Sequence, residues 1–341
     1  MDLTFIAGEP QFLDHAAPVW REVGGRFLVG ERLMDRAAAK GIPAEPLDIA
    51  AIQRSSSPPK AKPGDGPLAF VTSIGDMKIG RRLGYRRFVF MEHGCGQAYL
   101  GGGGIRHPSY SGGADREDVA LFLVPNDYSA ALWRTAYPDA AVEVVGCPRL
   151  DDLPSRVPDG QTTVALSFHW PAFVAPESGS AVGHYLPVLG ELAKRFHVIG
   201  HAHPKADWPQ RVERYFRRAG IEFVPDFDDV LRRADVYACD NSSTLFEFAS
   251  TGRPVVVLNH PQYRRQVNHG GRFWDWATVG IQVDEAVQLG DAIETALTDP
   301  QAVAVERERV LGLVYQPRTN GAATAATAIR DFLASRVEVA A

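Results

Sequence analysis

Cysteine is scarce in this chain: its 341 residues hold three, Cys95, Cys147 and Cys239. They are too few and too scattered for a disulfide framework or a structural zinc site, so a reducing cytoplasmic setting is expected. Long apolar runs are missing too, and none approaches the length of a membrane-spanning helix. The opening MDLTFIAGEP has neither a charged leader nor a long apolar core, which argues against a secretory signal. Peripheral attachment to a membrane is left open. Charge of one sign is not in excess either, since a net charge of −5 gives no general pull toward nucleic acid or anionic lipid. The best basic cluster, Arg81, Arg82, Arg86 and Arg87, reads as a solvated helix end. Common nucleotide signatures are absent. No GKS or GKT loop occurs, and Gly101 to Gly104 lack the GxGxxG spacing and a helix directly after it. Without a Gly-x-Ser-x-Gly, a nucleophile-elbow hydrolase has no support.

What is present is an alternation. Hydrophobic residues make up 45% and charged residues 23%, the profile of an ordinary globular protein with room for two cores. Short apolar runs alternate with helix-like segments, which predicts parallel sheets with helical crossovers. Expected strands are Leu3 to Ala7, Arg26 to Val29, Leu68 to Thr72, Arg87 to Met91, Val119 to Val124 and Val142 to Val145. A second series follows at Thr163 to Phe168, Phe196 to Ile199, Ile221 to Val224, Val236 to Cys239 and Val255 to Leu258. Expected helices include Glu31 to Lys40, Asp127 to Tyr137, His184 to Arg195, Trp208 to Ala219, Asp228 to Arg233, Leu289 to Leu297 and Ala322 to Ser335. Residues 54–67 read as a broken loop, and residues 151–160 as the domain boundary. The fold class expected is α/β and GT-B-like: two Rossmann-like domains, 1–153 and 154–317, facing a central cleft. Residues 318–341 would add a C-terminal helix that could cross back to the first domain. Ligands of open parallel sheets bind beyond the carboxyl ends of the strands, so the loops after strands are where chemistry is expected.

Several of those loops carry reactive residues. His93 follows Phe88-Val-Phe-Met91 and precedes Gly94, so a glycine-loosened turn can project its imidazole as a base toward an attacking hydroxyl. A structural histidine is the alternative. In Gly200-His-Ala-His-Pro-Lys205, His201 and His203 would point the same way if extended. Contact with a phosphate or leaving group, with Lys205 in support, fits better than a metal pair. After Cys239, the turn Asp240-Asn-Ser-Ser-Thr-Leu-Phe-Glu247 places Ser242, Ser243 and Thr244 at a helix N-terminus. Unpaired N–H donors there suit a phosphate, and Ser243 or Thr244 with Glu247 could form a capping box. An ordinary capped helix is the plainer reading. Asp226-Phe-Asp228 and Asp151-Asp152 read as capping and turn residues, not as a metal-binding Asp-x-Asp. Cys95 has no evident oxyanion partner, and Phe273, Trp274 and Trp276 read as packing.

Taken in order, His93-Gly94, Val145-Gly-Cys-Pro-Arg149-Leu-Asp151, His203-Pro204 and Asp240 to Glu247 resemble the CDP-glycerol glycerophosphotransferase family, the teichoic-acid primases and polymerases. Arg253-Pro254 and Tyr263-Arg264 extend the resemblance, which covers roughly residues 88–265. It implies a nucleotide donor held mainly by the C-terminal domain, His93 as base on the acceptor, and His203 on the donor pyrophosphate. Ser242 and Ser243 would take the diphosphate, and Asp240 and Glu247 would support the turn or bind ribose or glycerol hydroxyls. Arg149, Tyr263 and Arg264 are further candidates for support. No cofactor or metal is implied beyond the nucleotide-activated donor, because N–H donors and the helix dipole could neutralise the departing nucleotide. The sequence departs from the family after His-Gly, where Cys95-Gly-Gln-Ala-Tyr replaces Thr-Pro, and at Gly200-His-Ala before His203. Those changes leave the transferred group open. A GT-B glycosyltransferase using a nucleotide sugar and a non-catalytic nucleotide-binding protein are the alternatives. The acceptor could be a glycan, a lipid-linked or a small molecule, with nucleic acid less favoured.

Overall fold

All strand pairings run parallel in both sheets. The structure, a computed structural model, describes residues 3–55, 67–95, 112, 115–171, 180–205, 207–261 and 276–340, with side chains described to residue 335 of the last helix. The chain divides into two compact units, one of residues 1–96, 110–152 and 315–341 and the other including Leu153–Val314.

The first unit holds β1 (Leu3–Ala7), β2 (Arg26–Gly30), β3 (Glu45–Leu47), β4 (Leu68–Val71), β5 (Arg87–Met91), β6 (Val119–Val124) and β7 (Ala141–Val144). Its seven strands lie in the order β3-β2-β1-β4-β5-β6-β7. Side chains alternate across a strand, so Leu3, Phe5 and Ala7 enter one core while Ile6 enters the other. Burial on both faces explains why β1, β4, β5 and β6 read as nearly continuous apolar runs. One core is closed by the helices Pro10–Val23 and Gly321–Ala340, the second contributing Ala325 and Ile329. The expected helix from Glu31 opens as a 3-10 turn, Glu31–Leu33, before Met34–Ala39.

The basic cluster differs from the expectation of a solvated helix end. Arg81 closes the helix Ile74–Arg82 and grips Asp118 through two bonds of 2.6 and 2.7 Å, and Arg86 donates to the Arg81 carbonyl at 2.8 Å. Both arginines are thereby used within the unit.

The second unit holds β8 (Thr163–Phe168), β9 (His197–Ala202), β10 (Glu222–Phe223), β11 (Val236–Cys239), β12 (Val255–Leu258) and β13 (Ile281–Val283). Their order is β10-β9-β8-β11-β12-β13. Strand order reverses between β1 and β4 in one sheet and between β8 and β11 in the other, so each unit has its own switch-point crevice.

A carboxylate fastens each crevice. In the second unit Asp240, fully buried beyond β11, accepts the N–H of His169 at 2.7 Å and of Ala181 at 2.8 Å. In the first, Asp76 accepts the N–H of Gly8 at 2.8 Å, tying the loop after β1 to the helix after β4. Its second oxygen is buried without a hydrogen bond, and burial pushes the carboxyl up to about 7. The folded state therefore holds a proton that the unfolded chain releases near pH 4. Stability is full below that pH, declines as pH rises toward 7, and is level above it. Denaturant titrations should show wild type weaker at pH 8 than at pH 5 by on the order of 2–4 kcal/mol from this group. Asp76→Asn, which keeps an acceptor for Gly8, should remove that slope. An unchanged slope in the variant would rule the assignment out.

Candidate active site

His93 stands two residues beyond β5, exposed at its strand end, with Gly94 at φ 68° turning the chain behind it. Only glycine adopts that conformation without strain, which explains its place beside the imidazole. The ring's Nδ1 lies 2.7 Å from the carbonyl oxygen of Thr72. A carbonyl only accepts, so Nδ1 carries the proton and the lone pair of the neutral ring is on Nε2. Phe12 and His15, both on the helix Pro10–Val23, hold the ring edge-on at centroid distances of 5.0 and 6.0 Å. That arrangement is chemically a base with a fixed tautomer. Cys95, two residues on, is buried.

The block Val145 to Asp151 leads from β7 into a 3-10 turn, Pro148–Asp152. Gly146 has φ 71°, and a Cβ there would collide with the carbonyl oxygen of Pro317. Asp151 accepts the N–H of Ala322 at 2.8 Å, at the start of the C-terminal helix. Much of this block thus seats the returning chain. Arg149 is buried, 3.7 Å from Asp14, which also pairs with Arg36 at 2.6 Å and Lys40 at 3.3 Å. Its observed work lies inside the first unit.

In the second unit His203 follows β9 directly and His169 follows β8 directly. The two rings meet edge to face, with centroids 4.9 Å apart and planes at 68°. Trp170 lies 6.3 Å from His203, and the Lys205 ammonium 5.8 Å from the Trp170 ring. His169 was not among the residues singled out from the sequence, although it satisfies the same rule as His93, a histidine just beyond an apolar strand.

His201 corrects the expectation that it and His203 share a task. β9 runs on to Ala202, beyond the expected end at Ile199, and His201 is a strand residue. It is 3% exposed, bonded through Nδ1 to the Val224 carbonyl at 2.9 Å, and its pKa is lowered by burial. Gly200 looks like a turn residue, yet a Cβ there would strike the Phe216 ring, so glycine lets the helix Trp208–Arg218 lie on the strand.

The turn after β11 holds its hydroxyls in a chain. Tyr237 and Thr244 meet at 2.8 Å, Thr244 and Ser242 at 2.8 Å, and Ser242 Oγ accepts the Thr244 N–H at 3.3 Å. Ser243 is the N-cap of the helix Thr244–Ala249, but its side chain makes no capping bond, so the capping box is not formed. Glu247 is buried in that helix. Ser242 and Thr244 therefore shape the turn, and Ser243 is the partly exposed hydroxyl of the three-residue run that is not part of this chain. Tyr263 and Arg264, like Phe273, Trp274 and the glycine run 101–104, lie outside the described residues. Among the described residues no three His, Cys, Asp or Glu side chains come together in a way that could hold a metal ion, and no helix is long and apolar enough to cross a membrane.

Solved structures sharing this architecture include UDP-GlcNAc 2-epimerase from Neisseria meningitidis bound to UDP-GlcNAc, at 13% identity over 97% of this chain and 100% of that one, TM-score 0.62. The wall teichoic acid polymerase TagF with CDPG is 12% identical over 98% of this chain and 88% of that one, TM-score 0.66. The fold is GT-B-like. Staphylococcus aureus MnaA with UDP is also similar, at 12% identity over 95% and 94% of the two chains, TM-score 0.61. At these identities the likeness is one of fold. No protein-family model matches the chain, and no curated protein matches it in sequence.

Proposed function

We propose that this GT-B-like protein is a metal-independent transferase that moves glycerol-phosphate, or a related polyol-phosphate, from a CDP-activated donor to an acceptor hydroxyl. One observation carries the reading: all four motifs of the family resemblance stand just beyond the carboxyl ends of parallel strands, after β5, β7, β9 and β11. That is where open α/β sheets bind ligands and do chemistry. His93, with its lone pair on Nε2, serves as the base that takes the acceptor hydroxyl proton. His203 and Ser243 contact the donor diphosphate, and Asp240, Ser242 and Thr244 hold the turn that presents Ser243.

Thermal unfolding with CDP, CDP-glycerol, UDP, GDP and ADP tests the proposal. CDP and CDP-glycerol should stabilise the protein by about 2.7 kcal/mol at a hundredfold excess over their dissociation constants. Stabilisation by UDP or GDP alone would move the reading to nucleotide-sugar chemistry, which the UDP-bound neighbours favour. No stabilisation by any of them would sink it.

A further inference from the structure

We infer that His169 is a positioning residue of the donor site: with its backbone fastened to Asp240 and its ring to the Trp170 carbonyl, it holds His203 edge to face. The inference rests on the proposed contact between His203 and the donor diphosphate.

Two anchors fix His169. Its backbone N–H donates to Asp240 Oδ1 at 2.7 Å, and its Nδ1–H donates to the Trp170 carbonyl oxygen at 2.8 Å. With Nδ1 committed as a donor, the neutral ring has an acceptor at Nε2. Burial pushes His169 down to about 4, so its ring is neutral throughout the physiological range. Among the described residues, charged groups beside the pair include Asp240, on the backbone side of His169, and Lys205, over the face of Trp170. His201 is engaged with Val224 instead. A neutral ring in this position supports His203 through an edge-to-face contact.

Ring Cε1–H resonances, followed by NMR from pH 5 to 8.5, test this without any ligand. The assignments come from His169→Phe and His203→Phe among the ten histidines. The His169 ring should not titrate in that window. His169→Ala should weaken CDP binding roughly three- to tenfold, the range an edge-to-face aromatic pair is worth. His169→Phe, which keeps the ring and cannot be charged, should restore it. Titration of His169 above pH 6 would overturn the inference, as would a His169→Ala protein with wild-type CDP affinity. If His169→Ala does not fold, wild type and His169→Phe still decide the question. If the wild type binds no nucleotide, the donor-site reading fails, while the NMR titration still reports whether the His169 ring stays neutral.

Discussion

Gly146→Ala should be among the most destabilising single substitutions in the first unit, costing about 3–5 kcal/mol. Two causes add. Gly146 has φ 71°, where an alanine pays about 1–2 kcal/mol for its backbone alone. Its Cβ would also occupy the position of the Pro317 carbonyl oxygen, so the returning segment must move. That segment is fastened next door: the Gln316 N–H donates to the Pro125 carbonyl at 2.8 Å, and the Gln316 side chain accepts from Asp127 N–H at 2.9 Å. Beyond it the C-terminal helix begins on Asp151 and delivers Ala325 and Ile329 to the core. Displacing Pro317 therefore loosens the whole attachment. Gly41→Ala is the internal control, because Gly41 has the same φ of 71° with nothing near its Cβ. Calorimetry should give Gly41→Ala only the backbone cost. Gly146→Ala should lose more and expose the segment after residue 315 to limited proteolysis. Equal losses in the two variants would rule out the collision.

The contrast between these two glycines also marks what a sequence can disclose. Strands β1, β5, β6, β8, β11 and β12 are legible to the residue because each is buried on both faces and reads as a nearly continuous apolar run. The edge strands β3 and β13 are only three residues each and mostly unburied, so they leave no pattern. The helix Ile74–Arg82 is obscured by two glycines, one of which makes room for the Phe88 ring. At the site, His93 and His203 follow from their places after strands. His201 misleads because Gly200 imitates a turn, although its reason is the ring of Phe216. Arg149 resembles a ligand contact, but its link to Asp14 spans 135 residues and leaves no local trace. Asp240 is conspicuous in sequence, yet its work depends on N–H groups 71 and 59 residues away. What sequence patterning reveals is position along a strand; what it hides is which distant loop a polar atom fastens.

His93→Ala should reduce transfer by about 10²- to 10⁴-fold, the usual contribution of a positioned general base, while leaving nucleotide affinity within about twofold of wild type. The expectation rests on the tautomer. With Nδ1–H committed to the Thr72 carbonyl at 2.7 Å, the neutral ring can take a proton only at Nε2, and the imidazolium that results keeps its bond to Thr72. In the proposed role the ring is therefore oriented before and after the proton moves, with no reorganisation of its second nitrogen. The candidate diphosphate contacts His203 and Ser243 belong to the other unit, so removing His93 subtracts proton transfer without subtracting a donor contact. Single-turnover CMP release from CDP-glycerol, with a polyol acceptor in excess, reads the first quantity; the CDP-induced thermal shift reads the second. A structural role predicts the reverse pattern. Losing the edge contacts to Phe12 and His15 would then lower thermal stability by about 0.5–1.5 kcal/mol while turnover stayed within tenfold of wild type. In that outcome His93 would be a packing residue at the end of β5, and the base would have to be sought elsewhere in the first unit.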